Sequence, residues 1–401
     1  MKSINVVLGA QWGDEGKGKI VDFLSAKSDV ILRFNGGNNA GHTIVFQGKK
    51  YILHTLPSGI LRRGVVNITG PLVVHDLEVV AQEIELASEN GAKVVLDKNA
   101  PLILPLHKQV DSARERLAGA KKIGTTKRGI GPAYEDFWSR RGLSLHDLQS
   151  KKSIAFALER RGYFQEKENL LKSLGEKSLS FQETVDYLSR YTFLYEYAQD
   201  TRELVSEYVQ QGKVLLFEGA QGVLLDRVHG IVNPYVTSSF CGVGGAWTSF
   251  GFYPPSQEVR VIGIAKAYLT RVGNGPFPTE LKGRIGDTIR QKGGEYGSTT
   301  GRPRRCGWLD LELLRYAVRR GGITELAITK LDVLAGLSKV VLQDKHEKII
   351  LPGWEGDLSS ARRLEDLPAS ARSYLSEISQ RVGVKISFVG VGPDRENLIV
   401  L

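Results

Sequence analysis

The chain is 401 residues long, with 41% hydrophobic and 24% charged residues, an ordinary globular composition that excludes a disordered or collagen-like chain. A formal net charge of +10 favours anionic partners, whether nucleotides, phosphorylated metabolites or nucleic acid. No apolar stretch is long enough to span a bilayer and no secretory signal pattern opens the chain; its two cysteines, Cys241 and Cys306, fit reduced thiols, so a cytoplasmic location without membrane association is expected.

Apolar runs bounded by glycine predict buried strands of a mostly parallel sheet. The first, Ile4–Leu8, feeds Gly13-Asp14-Glu15-Gly16-Lys17-Gly18-Lys19. Glycines let successive N–H groups converge on phosphate oxygens, a following helix adds partial positive charge, and Lys17 can neutralise a terminal phosphate. Gly18 stands where the standard phosphate loop has Ser or Thr, so Asp14 is a candidate for the missing magnesium contact. A strand-to-helix turn with solvated charges is the plain alternative. Val30–Phe34 predicts a second strand, followed by a glycine-rich stretch from Gly36 to Thr43 that can close over a nucleotide. His42 within it is either a proton donor beside a phosphate or an ordinary structural histidine.

Val65–Ile68 and Val94–Leu96 predict further strands, with a helix over Asp76–Asn90 between them. Ile123–Pro132 is a polar loop. From about Ser144 to Gln211 the chain is rich in Lys, Glu, Leu and Tyr, which predicts a helical insertion with no recognisable chemistry. Val214–Phe217 predicts a strand that runs into Glu218-Gly219-Ala220-Gln221-Gly222; the loop Tyr235–Ser239 and a strand at Val259–Ile264 follow. The densest basic cluster, Arg302-Pro303-Arg304-Arg305 after Thr299 and Thr300, is either a small-anion pocket or a solvated basic turn. Leu326–Thr329 ends in Thr329-Lys330-Leu331-Asp332, spaced like the base-recognition element of GTP-binding proteins. An aspartate there accepts both N1–H and the exocyclic amino hydrogens of guanine, a pair of donors that adenine lacks. A strand-end salt bridge is the other reading. Lys339–Leu351 predicts a hairpin, Ser359–Arg381 a helix, and Val384–Val389 a last strand.

Strand and helix alternation implies a doubly wound α/β architecture with helices on both faces of the sheet. One body spanning 1–401 is expected, with the helical insertion at about 144–211 and a small hairpin and helix part at about 338–401. The loops carry more hydroxyl, amide and guanidinium groups than one nucleoside triphosphate needs, which points to a second phosphorylated substrate. No Cys/His metal cluster, Cys–His pair or Gly-x-Ser-x-Gly elbow is present in the sequence.

Together these motifs resemble the adenylosuccinate synthetase family, the GTP-dependent ligases of AMP biosynthesis. The resemblance covers Gln11–Lys19, Asn39–Thr43, Gly124–Tyr134, Phe217–Gly222, Tyr235–Ser239, Arg271–Glu280, Thr299–Asp310, Thr329–Asp332 and Gly392-Pro393-Asp394. It implies a P-loop GTPase-like variant of the α/β fold with helical and hairpin subdomains. It also implies a two-step reaction: IMP loses its N1 proton to Asp14, O6 attacks the γ-phosphate of GTP, and L-aspartate then displaces the 6-phosphoryl group. The implied catalytic set is Asp14, Lys17, His42 and Gln221. GTP falls to Gly13, Asp14, Glu15, Gly16, Lys17, Gly18, Gly41, His42, Thr43, Arg304, Lys330, Asp332, Gly390 and Gly392. IMP falls to Asp14, Asn39, Thr126, Gln221, Thr237, Arg302 and Arg140, the last from the neighbouring subunit of a homodimer. Aspartate falls to Thr299, Thr300, Arg302 and Arg304. One Mg2+ per subunit would rest on Asp14 and the Gly41 carbonyl.

Three departures from the family pattern stand out: Pro303 where another arginine is common, Gly390 where a serine is common, and a shortened stretch before Leu351-Pro352-Gly353-Trp354. A GTP-binding regulatory protein would leave Arg140 and the Thr299–Arg305 cluster idle. A related ligase acting on a guanine nucleotide would not need Asp14. Nucleic-acid binding lacks the basic and aromatic interleaving it requires.

Overall fold

A computed structural model describes residues 3–46, 49–255, 258–297 and 301–401. Its centre is a ten-stranded sheet built from β1 (Ile4–Gly9), β2 (Val30–Arg33), β3 (Val66–Thr69), β4 (Lys93–Asp97), β5 (Ala198–Gln199), β6 (Leu215–Glu218), β7 (Val259–Lys266), β8 (Glu325–Thr329), β9 (Ile386–Gly390) and β10 (Leu398–Val400). The order across it is β10-β9-β8-β7-β1-β6-β2-β3-β4-β5. Neighbours run parallel except β9 and β10, which are antiparallel. Strand order turns in opposite directions on either side of β1 and β6, and such a switch opens a crevice beyond the carboxyl ends of the strands.

Each central strand is apolar on both faces because helices cover both. Ile4, Val6 and Leu8 enter one cluster with Phe217, Ala246 and Phe250. Val7 points the other way, among Ile20, Val21, Ile31, Leu216 and Ile262, under the helix Lys17–Ser25. The period of two along each strand thus feeds two cores. A further cluster joins the helices Leu77–Glu89 and Pro105–Ala118 to the insertion, where Ile154, Leu158, Tyr163, Leu171 and Leu188 pack with Val80, Leu106 and Val110. The insertion therefore leans on the main body through apolar contact. Its helices are Lys151–Glu159, Tyr163–Ser173, Phe181–Ser189 and Thr201–Gln210.

Several elements depart from the sequence expectation. The helical stretch 144–211 is interrupted by β5, whose two residues pair with Leu96 and Asp97 and carry no strand pattern of their own. Val384–Val389 is not the last strand, since Leu398–Val400 folds back against Phe388–Gly390 as an edge. His42 and Thr43 belong to a hairpin, His42–Phe46 with Lys49–Leu53, rather than to the glycine loop. The expected helix over Ser359–Arg381 begins only at Ala369, because Pro368 drives Leu367 out of helical space. The hairpin at the C-terminal part forms as Lys339–Asp344 with Glu347–Pro352, and Lys345 takes φ 52 in its turn. Cys241 and Cys306 are buried and unpaired with each other. Among the described residues no helix is long and apolar enough to cross a membrane.

His75, on the short strand after Leu72–Val74, is fully buried with Nε2 2.9 Å from Thr69 Oγ1. Burial and the nearby Arg33 push its imidazole down to about 3. As the pH falls below the ordinary histidine range the unfolded chain takes up this proton first, so the stability contribution held at neutral pH is lost toward about 3. Unfolding free energy from urea titrations is expected to drop with acidification by up to ~1.4 kcal/mol per pH unit for this group, and His75→Gln should flatten that slope.

Candidate active site

Loops leaving the carboxyl ends of β1, β2, β6, β7 and β8 meet in the crevice. Gln11 fastens the first of them: its side-chain amide donates to the carbonyls of Lys266 and Tyr268, both at 3.1 Å, and its oxygen accepts the Lys266 N–H at 3.2 Å. Gly13, Asp14 and Gly16 then take φ values of 84, 60 and 84, a left-handed run that turns backbone N–H groups toward a common point. Glu15 lies underneath with no exposed surface. Its carboxylate accepts the N–H of Gln11 at 3.1 Å and of Gly13 at 2.8 Å, and it pairs with Lys17 Nζ at 2.7 Å. The two acids of the loop are thereby separated: Glu15 is turned inward to hold the cradle, and Asp14 is the one left facing the crevice.

Lys17 also donates to the Gln221 carbonyl at 2.6 Å, which draws the loop after β6 against the cradle. Thr329 Oγ1 donates to the Glu15 carbonyl at 2.6 Å and brings in the end of β8. Gly18 is needed for close approach, because a Cβ there would sit 3.0 Å from the Thr43 carbonyl. That contact places the His42 hairpin beside the phosphate loop. His42 is buried, with Nδ1 hydrogen-bonded to Glu218 and Nε2 without a partner among the described residues. Glu218, fully buried at the end of β6, is itself held by the Ser58 N–H and hydroxyl, each at 2.7 Å. Burial, with Arg33 close by, pushes the His42 imidazole down to about 4 against the pull of Glu218. The carboxylate fixes Nδ1 and leaves Nε2 as the functional edge.

A second network was not foreseen from sequence. Glu295, fully buried, accepts Tyr268 OH at 2.6 Å and pairs with Lys330 at 2.7 Å, Arg304 at 2.8 Å and Lys266 at 3.1 Å. Burial would raise its pKa, yet the three cations hold it well below the carboxylate range. Burial conversely pushes Lys266 down to about 8, against the pull of Glu295. Arg304 turns its other nitrogen to Asp14 Oδ2 at 2.9 Å. One carboxylate thus ties Lys330 to Arg304 of the basic cluster, and through Arg304 to Asp14. Glu295 is a single acid between Gly294 and Tyr296, and no periodicity or spacing marks it.

Lys330 takes φ 58 just after β8 and reaches the Gly293 carbonyl at 2.7 Å. Asp332 Oδ1 is buried with no partner among the described residues, and burial raises its carboxyl pKa. A lone buried acceptor at this place is what guanine donors would satisfy. Gly390 lies against the same loop: a Cβ there would come within 3.3 Å of Thr329 Cα, so the missing side chain lets β9 close on it. Lys19 Nζ reaches the carbonyl of Gly392 at 2.8 Å and joins that segment to the first helix.

Gln221 Nε2 donates to Asn39 Oδ1 at 3.1 Å, and Ser239 Oγ donates to Gln221 Oε1 at 3.3 Å, which brings the Thr237–Ser239 segment to the same place. Thr126 is half-buried on the loop before the helix Ile130–Trp138, and Arg140 is exposed just after that helix with φ 63. Arg302 is exposed and Pro303 beside it lies at the surface. Thr299 and Thr300 lie outside the described residues. No group of three or more His, Cys, Asp or Glu side chains forms a metal cluster among the described residues. Asp14 and the Gly41 carbonyl are both oxygen donors, and no hydrogen bond among the described residues uses that carbonyl, so the pair fits a hard divalent ion that keeps most of its other ligands from substrate and water.

A family profile described as adenylosuccinate synthetase matches residues 6–349 and 344–399. The adenylosuccinate synthetase of Geotalea daltonii is 46% identical over 99% of this chain and 98% of its own length. That of Geotalea uraniireducens is 45% identical with the same coverage of both chains. The solved structure of the fully ligated adenylosuccinate synthetase from Plasmodium falciparum superposes with a TM-score of 0.92 at 36% identity, covering 100% of each chain. A cyanophage S-2L succinoaminodeoxyadenylate synthetase, solved with dGMP and dATP, matches at a TM-score of 0.67 and 20% identity over 100% of this chain and 95% of its own, a likeness of fold alone.

Replacing Asp332 by Asn removes the charged acceptor while keeping its shape. The preference for GTP over ATP in competition binding should fall by about 10–100-fold. An unchanged preference would place the base elsewhere.

Proposed function

The chain belongs to the adenylosuccinate synthetase family, a GTP-dependent ligase joining IMP and L-aspartate in AMP biosynthesis, and on that footing we propose how its residues divide the chemistry. The observation that carries the assignment is the division of labour in the first loop, with Glu15 buried beneath the cradle and Asp14 turned into the crevice. Asp14 takes the N1 proton of IMP, and the electron pair released makes O6 the nucleophile toward the γ-phosphorus of GTP. The O6–P bond forms as the bond to the β-phosphate oxygen breaks, leaving GDP. The amino group of L-aspartate then attacks C6 and loses a proton, the C6–O6 bond breaks, and phosphate departs.

His42 presents Nε2 to the transferred phosphoryl group. The Glu218 carboxylate behind Nδ1 compensates the positive charge as the imidazole takes up a proton, and an arriving phosphoryl dianion opposes the depression caused by burial. Lys17 faces the terminal phosphates from the cradle, while Glu15 contributes through its backbone only. Gln221 and Asn39, already joined, orient the purine of IMP together with Thr237. Lys330 and Asp332 hold guanine. Arg304 and Arg302 receive the two carboxylates of L-aspartate, with Thr299 and Thr300 assigned beside them. An incoming dicarboxylate competes with Asp14 for Arg304, so filling the aspartate subsite frees the base. Mg2+, one per subunit, would be held by Asp14 and the Gly41 carbonyl and would neutralise charge on the GTP phosphates.

Arg140 is assigned to the IMP phosphate of a neighbouring subunit, which makes the working unit a homodimer. Its exposure and left-handed backbone, projecting from the body, support that role. Residues 1–401 form one synthetase-like unit in this reading, supported by the apolar cluster that the insertion shares with the main body, and its place is the cytoplasm.

Incubation with IMP, GTP and L-aspartate should yield adenylosuccinate by mass, and GTP turnover that needs neither IMP nor aspartate would sink the assignment. Asp14→Asn should lower turnover by at least about 1,000-fold while GTP affinity changes little, because the amide cannot accept the proton. Mixing inactive Asp14→Asn with Arg140→Leu, whose turnover at low IMP is strongly reduced, should restore roughly a quarter of wild-type activity at that IMP concentration through mixed dimers, each with one intact shared site. No recovery would place Arg140 in its own subunit's site.

A further inference from the structure

The helix Pro105–Ala118 carries His107, Asp111 and Glu115 at intervals of four residues, so all three lie on one face, and all three are buried. None of them belongs to the substrate contacts assigned above. Each holds part of the two segments that carry Thr126 and Arg140.

Glu115 accepts the N–H of Ile123 at 3.1 Å, of Gly124 at 2.9 Å and of Thr125 at 3.1 Å. Asp111 accepts the Thr125 hydroxyl at 2.8 Å and the Gly129 N–H at 3.0 Å. Their carboxylates bracket Thr126 from both sides along the chain. The amides before Thr126 are thereby tied to the helix, while Thr126 itself is half-buried and the following Lys127 is exposed. Gly129 must be glycine for the helix to come this close, since a Cβ there would meet His107 at 2.9 Å.

His107 works at the other end of the next helix, Ile130–Trp138. Its Nε2 lies 2.8 Å from Asp136 Oδ2, which also accepts Tyr163 OH at 2.7 Å, while Asp136 Oδ1 pairs with Lys167. Tyr163 and Lys167 belong to the helix Tyr163–Ser173 of the insertion. Burial would raise the Asp136 carboxyl, but His107 and Lys167 hold it down to about 2. The Asp136 carbonyl accepts the N–H groups of Arg141 at 3.0 Å and Gly142 at 3.3 Å, closing the turn that carries Arg140. Arg141 is drawn back to the insertion by Glu166 and by the Arg161 carbonyl at 3.1 Å. The side chain of Arg140, its neighbour in sequence, has no hydrogen-bond or ion-pair partner among the described residues, and its N–H donates to the Phe137 carbonyl at 3.0 Å. The insertion therefore decides which of two adjacent arginines projects.

We propose that Glu115, Asp111, His107 and the insertion residues Tyr163 and Lys167 are positioning residues for the 5′-phosphate subsite of the nucleotide monophosphate. Glu115 and Asp111 set the Thr126 loop, and the cluster around Asp136 sets Arg140. This rests on the assignment of Thr126 and Arg140 to the IMP phosphate. It gives the 144–211 insertion a task in substrate selection through residues that position others.

Inosine carries the same base and ribose as IMP without the phosphate, so it separates a fault in this subsite from general damage. Glu115→Gln and Tyr163→Phe preserve shape, and kcat/KM for IMP should fall about 10-fold in each through KM, with kcat at saturating IMP held within about twofold. kcat/KM for inosine, and KM for GTP and aspartate, should move less than about twofold. Unchanged KM for IMP in both variants, or equal losses on IMP and inosine, overturns the proposal. Thr126→Ala and Arg140→Leu serve as controls. If they discriminate IMP from inosine while Glu115→Gln and Tyr163→Phe do not, the positioning role alone falls; if the controls also fail to discriminate, the phosphate assignment falls and the proposal with it.

Discussion

A site for two polyanionic nucleotides must gather cations, and here those cations are kept together by fully buried carboxylates. Glu15 pairs with Lys17, Glu218 holds His42, and Glu295 collects Lys266, Lys330 and Arg304. Without these acids the crevice would concentrate positive charge in a poorly solvated place, and the chain already carries +10 overall. Glu218 is the last residue of β6, Glu15 lies in the loop after β1, and Glu295, just after the helix Arg284–Lys292, reaches Lys266 at the end of β7. The sheet supplies the stability, and the ion pairs supply orientation.

That arrangement gives each functional group one free edge. His42 has Nε2 open because Nδ1 is taken, Asp14 faces outward because Glu15 is spent beneath the loop, and Arg304 is shared between Asp14 and Glu295. Lys330 and Arg304 meet on one side chain, Glu295, so the loop after β8 and the basic cluster share a counter-charge.

The same logic extends to the periphery. Asp111 and Glu115 spend their charge on backbone amides, and Asp136 on a histidine, a tyrosine and a lysine, in each case fixing the segment next to Thr126 or Arg140. The helical insertion belongs to this scheme through Tyr163 and Lys167.

Eight of the ten sheet strands were legible, seven as apolar runs, because strands buried on both faces leave a continuous apolar signature, and the eighth as Val384–Val389. So were the phosphate loop and Thr329–Asp332, whose glycines and charges stand at strand ends where they are visible one residue at a time. The edge strands Ala198–Gln199 and Leu398–Val400 were not, being two and three residues that pair only because the neighbouring strand is already in place. The sequence by itself determined the α/β class and the candidate chemistry. Only the tertiary structure decided that Glu15 points inward while Asp14 points out, that Glu295 is the common partner of three cations, and that Arg140 rather than Arg141 projects. Those outcomes depend on contacts between residues far apart in the chain, such as Lys17 with Gln221 or Asp136 with Lys167, and no local spacing encodes them.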